Sequence, residues 1–158
     1  MTDEKDCGEA LQNTGARVLE DWAMMLVDPA EDTKIFESDA PFYFGTVDFA
    51  GPKKGTVCIV VQDSFMDLLT RNLLGLEPAA PVTEADKQDA LKEMSNVLTG
   101  NFLTEAFGNT DVFDVVLPLV HKVGYDVVDK VLNNTSDSKK ALYYLADGEP
   151  VAFTFESE

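Results

Sequence analysis

Positive charge is scarce in this chain. Its 158 residues hold 12 Lys and Arg against 29 Asp and Glu, for a formal net charge of −17. With no basic patch to offset that balance, the phosphate backbone of a nucleic acid is excluded as a natural partner. Cysteine is scarce too: Cys7 lies in a polar N-terminal segment and Cys58 in an apolar run, with no second Cys near either. That excludes a thiolate zinc cluster, and a chain of this length buries roughly 70% of its unfolded surface without needing a disulfide. Both cysteines are expected as reduced thiols, which points to the cytoplasm. No apolar run approaches the ~18 residues of a membrane span, and Met1–Asp6 lacks the basic start and apolar stretch of a secretion signal. Neither a membrane partner nor export is expected. His121 is the only histidine; without an acid or Cys pattern around it, it reads as a strand residue rather than a ligand or base.

What is present reads as one domain over residues 1–158, with residues 1–10 a flexible acidic segment. The acids at the ends, Asp3, Glu4, Asp6 and Glu9 and then Glu156 and Glu158, solvate the termini or steer a partner with a positive patch in a salt-sensitive way. A first helix is expected over Thr14–Leu26, with Val18, Trp22 and Met25 on one face and Pro29 past its end. Extended segments follow at 34–37, 42–49 and 56–61, the last two joined by Gly51–Gly55 as a hairpin. The nearly unbroken apolar run Val57–Val61 marks an interior strand. A second helix is expected over Ser64–Leu74, closed by Gly75, and Pro78–Pro81 turns the chain into a third. Thr83, with Asp86 three residues on, is the N-cap of that third helix, which runs to Phe107. Strands at 114–122, 141–146 and 151–155 complete the layout, Asp147-Gly148 turning between the last two. Residues 133–138 read as an exposed loop. Phe42-Tyr43-Phe44 reads as core or sheet surface. The class is α+β, with about three helices on roughly six mainly antiparallel strands.

The third helix carries a distinct polar stripe. At about 100° per residue, Asp89, Glu93 and Asn96 fall within about 60° of one another around its axis, and Gly100 extends the same stripe. Leu91, Met94, Leu98 and Phe102 occupy the opposite side. Asn is an indifferent helix former and a mid-helix Gly costs about 1 kcal/mol relative to Ala. Neither is there to strengthen the helix. On spacing alone the stripe is either solvated surface or a docking face.

The run Asp89-Ala-Leu-Lys-Glu93-Met-Ser-Asn96 resembles the signature of the chemotaxis phosphatases of the CheC, CheX and FliY group. That signature is an Asp or Ser, three residues, a Glu, two residues, an Asn and, about twenty-two residues on, a Pro. Pro118 follows Asn96 after twenty-one intervening residues, a difference the loop Phe107–Asp111 can absorb. Gly55–Gln62 and the following Ser64–Gly75 are similar to the strand and helix that precede the motif helix in these proteins. CheC and FliY carry two Glu/Asn pairs. Here the first helix offers Glu20 followed by Ala23, so one site per chain points to a CheX-like member.

The resemblance implies a CheC/CheX-like fold and a homodimer. It also implies an enzyme that removes phosphate from the aspartyl phosphate of a phosphorylated CheY-type receiver. No intrinsic cofactor or metal is implied; Mg²⁺ is expected in the receiver's own site. That substrate already holds its phosphoryl group with Mg²⁺ and a Lys, and what it lacks is an aligned water. Asn96 suits the task, since its amide oxygen accepts from water while its nitrogen donates to a phosphoryl oxygen without adding negative charge. By the same resemblance Glu93 pairs with the receiver Lys. Asp89 meets a positive residue at the rim or supports the helix start, Gly100 allows close approach or relieves helix packing, and Pro118 is structural, at a strand edge or bulge. Two other readings stand beside this one. The first is a receiver-binding or flagellar-switch adaptor without catalysis. The second is an acidic metal-binding domain using Asp89 and Glu93, which lacks a concentrated oxygen-ligand loop.

Overall fold

In the computed structural model, which describes residues 7–133 and 139–157, the run Val57–Val61 lies inside a sheet covered on both faces. It belongs to β3 (Gly55–Gln62), which pairs with β2 (Phe42–Ala50) on one side and β7 (Glu149–Ser157) on the other. Beyond β7 come β6 (Lys139–Ala146) and β1 (Val27–Ala30). Beyond β2 lie two short strands end to end, β4 (Asp114–Val115) and β5 (Leu119–Val123). Every pairing in this seven-stranded sheet is antiparallel.

Side chains alternate across a strand, so Val57, Ile59 and Val61 face one layer and Cys58 and Val60 the other. The first layer holds α1 (Cys7–Arg17), α2 (Asp63–Leu74) and α3 (Glu84–Phe107), with Leu11, Phe65, Leu69, Leu91, Met94, Leu98 and Phe102 fully buried. The second is α4 (Tyr125–Asn133), whose Val128 and Leu132 close over Phe42, Phe44, Cys58, Val60 and Ala152. Two-sided burial is why the Val57–Val61 run of β3 is apolar throughout. It also raises the Cys58 thiol to about 12, so that Cys58 stays protonated at neutral pH.

The α+β class holds, and α2, α3 and their boundaries lie where the sequence puts them. The hairpin turn does as well: Asp147 and Gly148 both have positive φ, and Asp147 exchanges hydrogen bonds with the backbone of Leu26. Other elements differ. The first helix starts at Cys7 rather than Thr14, because Ala10 and Leu11 pack into the core, and it continues past Arg17 as one π turn, Val18–Trp22. Cys7–Ala10 is therefore helical, while residues 1–6 of the expected flexible segment lie outside the described residues. Val27–Ala30 forms an edge strand in which Pro29 is tolerated. The segment expected as a strand at 34–37 begins instead as a 3₁₀ turn at Thr33–Ile35, where the Asp32 side chain accepts from Lys34 N at 2.9 Å. The strand expected at 114–122 is broken around Pro118, as a proline at a sheet edge allows. α4 was absent from the sequence layout, and residues 134–138 of the expected loop lie outside the described residues.

α3 crosses β2 at Gly45. A Cβ there would overlap Ser95 Oγ and stand 3.0 Å from Leu91 Cγ. Gly45→Val should therefore destabilise the fold by about 1–3 kcal/mol through overpacking, seen as a lower urea midpoint with an unchanged slope. An unchanged midpoint would mean that α3 does not rest on this residue.

Candidate functional site

α3 is aimed by contacts at both of its early turns. Thr83 Oγ1 accepts from Asp86 N at 3.1 Å, capping the helix as its sequence predicts. Lys87 Nζ reaches Asp63 on α2 at 3.0 Å. Arg71, also on α2, pairs with Asp67 at 2.7 Å and donates to the carbonyls of Glu77, Pro78 and Ala80 at 3.1, 2.9 and 2.7 Å. One guanidinium thus sets the path of the whole α2–α3 connector. Beneath the helix, burial and the Glu84 and Asp63 carboxylates raise the Tyr43 phenol above its ordinary value.

Along α3 the faces separate as the periodicity requires. Leu91, Met94, Ser95, Leu98, Thr99 and Phe102 are buried, and the buried hydroxyls are satisfied within the helix, Ser95 by Leu91 O at 2.8 Å and Thr99 by Ser95 O at 2.7 Å. Asp89, Glu93, Asn96 and Gly100 are all exposed. Among the described residues no hydrogen bond or ion pair engages the side chains of Asp89, Glu93 or Asn96. The contrast with Asn101 is informative, since its amide is committed to Val97 O at 2.8 Å. Asn96 alone of the two exposed asparagines on α3 presents an unengaged amide to solvent.

At Gly100 an added Cβ would meet nothing within 4 Å among the described residues. No packing contact with a described residue therefore requires glycine at this position. Gly100 floors an open groove of about 390 Å³ that Asn96 and Thr104 share with Arg17, on the neighbouring α1. Arg17 is a residue that reading along the chain missed; nothing in its spacing links it to Asn96, and only the packing of α1 on α3 brings them together. Pro118 stands apart from the stripe, at the junction of β4 and β5. Even so, β5 passes the motif turns: its Val120 pairs with Gly45, the residue under Ser95 and Leu91. Just past the π turn that follows α1, Ala23 is fully buried, so the place where a second Asn would stand faces the core. Among the described residues no group of three His, Cys, Asp or Glu could hold a metal ion, which leaves Asp89 and Glu93 without further ligands. No described helix is long and apolar enough to cross a membrane.

The family model described as chemotaxis phosphatase CheX matches residues 43–133, the span that carries the whole stripe. The chain belongs to this family. No curated protein matches it closely enough to be reported beside the family. Among solved structures, the chain is similar to CheX from Desulfovibrio desulfuricans, at 15% identity and a TM-score of 0.71, over 98% of this chain and 100% of that one. CheX from Vibrio vulnificus gives 17% and 0.71 over the full length of both. The CheX of a CheX–CheY–BeF₃–Mg²⁺ complex from Borrelia burgdorferi gives 17% and 0.63, over 95% and 96%. At these identities the likeness shows a shared CheX fold. A general consequence for this chain concerns Gly100: with open space at its Cβ, Gly100→Ala should raise stability by up to about 1 kcal/mol. A thermal melt checks this, and a clear loss of stability would show that the helix needs glycine for its own packing.

Proposed function

We propose that this protein is a single-domain cytoplasmic phosphatase that hydrolyses the aspartyl phosphate of a CheY-type receiver, with Asn96 orienting the attacking water. The observation that carries the reading is the unengaged Asn96 amide, exposed one turn from an equally unengaged Glu93 within the span matched by the CheX family. Membership of a family described as chemotaxis phosphatases supports the reaction, and the CheX–CheY complex with Mg²⁺ from Borrelia burgdorferi supports the partner.

In this mechanism the receiver brings the phosphoryl group, its Mg²⁺ and its Lys. Glu93 binds that Lys and holds the α3 stripe over the receiver's site. Asn96, one turn on, enters beside the phosphoryl group. Its Oδ1 accepts from water and its Nδ2 donates to a phosphoryl oxygen, so the water is aligned for in-line attack on phosphorus. The bond from phosphorus to the receiver's carboxylate breaks as the new P–O bond forms, and phosphate leaves. Asp89 meets a positive group at the receiver's rim, and Gly100 admits its backbone.

Asn96→Ala should lose on the order of 10²-fold or more in hydrolysis of the phosphorylated receiver while keeping its affinity for a stably activated form. Asn96→Asp should be similarly impaired at neutral pH, because it removes the donor and puts charge beside the phosphoryl group. Glu93→Lys should instead weaken binding, by about 1.5–3 kcal/mol for a lost charge-assisted contact. Full turnover in both Asn96 variants would remove Asn96 from the mechanism. Firm binding with no turnover in the wild type would favour the adaptor reading.

The same reading makes the protein a homodimer. Supporting it is an apolar row along the broken edge strand, where Val112 and Leu117 are 81% and 82% exposed and Val116 and Leu119 more than half exposed. Monomers rarely leave such a contiguous row in water. The opposite edge, β1, is blunted by Pro29, although Met24 and Leu26 are exposed beside it. Replacing Val116 and Leu117 together by Asp should convert the dimer to a monomer in sedimentation equilibrium; an unchanged mass would place the interface elsewhere.

A further inference from the structure

We infer that Arg17 is a partner-binding residue of the same site, taking a carboxylate of the receiver into the groove beside Asn96. The inference rests on the receiver reading and adds to it a second point of attachment with the opposite charge. Three observations carry it. Arg17 closes the α1 side of the groove whose other wall and floor are Asn96, Gly100 and Thr104. It is exposed, and among the described residues no hydrogen bond or ion pair occupies its guanidinium, unlike Arg71, which is fully used in the α2–α3 connector. And the groove floor at Gly100 has room for a Cβ, since among the described residues nothing stands within 4 Å of one placed there.

The charges of the site then form a pattern. Asp89 and Glu93 are negative at one end of the stripe; past Asn96 the groove holds Arg17 together with Glu105, which is already engaged, so Arg17 is the charge the groove offers to a partner, in a chain with only 12 basic residues against 29 acidic ones. Such a pattern selects a partner with a cation facing Glu93 and an anion facing Arg17, and it fixes the rotational register in which Asn96 meets the phosphoryl group. An unpaired planar guanidinium suits a carboxylate, which it binds through two parallel hydrogen bonds. The α1 helix thereby takes part in recognition, although it has no Asn of its own. The π turn that begins at Val18 starts at the residue after Arg17, a placement common next to functional positions.

The test is steady-state hydrolysis of a phosphorylated CheY-type receiver, with affinity for its BeF₃⁻-activated form measured in parallel. Arg17→Ala should raise KM and Kd about tenfold with kcat within twofold of wild type, and Arg17→Glu should raise them further. Gly100→Leu, which fills the groove from the other wall, should also raise Kd. Lys130→Ala, which removes an exposed cation from α4 on the opposite face of the sheet, should change neither. A fall in kcat with KM unchanged in Arg17→Ala would place Arg17 at the phosphoryl group and overturn the carboxylate assignment. Arg17→Ala indistinguishable from wild type, beside an Asn96→Ala variant that has lost turnover, would overturn this inference alone. A wild type that binds no phosphorylated receiver would overturn both this inference and the reading beneath it.

Discussion

The structure depends on the close approach of α3 to β2 at Gly45. Ser95 and Leu91 occupy space that any Cβ at this position would need, so the helix sits lower on the sheet there than a pair of ordinary side chains would permit. With one face pinned by Leu91, Met94, Leu98 and Phe102, rotation of α3 about its axis is fixed, and the face with Asp89, Glu93, Asn96 and Gly100 must point to water. The core, rather than any contact among the exposed residues, is what presents the stripe.

Polar contacts complete the aim of the helix without dominating its stability. The Lys87–Asp63 pair is partly exposed, and a surface pair of this sort contributes no more than about 1 kcal/mol. Arg71 matters through geometry: its hydrogen bonds to the carbonyls of Glu77, Pro78 and Ala80 hold the path of the chain from α2 into α3. Against that rigid support, the exposed Asn96 amide and Glu93 carboxylate stand in water, which solvates them at little cost.

Local signals were readable wherever the chain's own periodicity or turn chemistry decided the outcome. Thr83 caps α3, Gly75 ends α2 with positive φ, and Asp147-Gly148 turns the last hairpin, each for a reason contained within a few residues. β1 and α4 escaped notice for opposite reasons. Val27–Ala30 contains a proline and is a strand only because β6 offers it an edge. Tyr125–Asn133 is rich in β-branched valine, a poor helix former, and is helical because Val128 and Leu132 cover the second face of the sheet. The periodicity of Val18, Trp22 and Met25 puts the first helix too late in the chain, because Ala10 and Leu11, both fully buried, lie in a segment whose neighbours are mostly polar.

The class, the motif helix and the separation of its two faces are legible in the order of residues, because helical spacing alone decides which side chains share a side. That order also carried the resemblance that leads to the CheX family, since Asp89, Glu93 and Asn96 are contiguous in that spacing. Only the tertiary structure decided what surrounds the stripe. That Gly100 faces open space, that Asn101 is spent on its own helix while Asn96 is not, and that Arg17 shares a groove with Asn96 are consequences of α1 lying against α3. Contacts between residues far apart along the chain are set by how layers pack, and no local pattern in either segment encodes them.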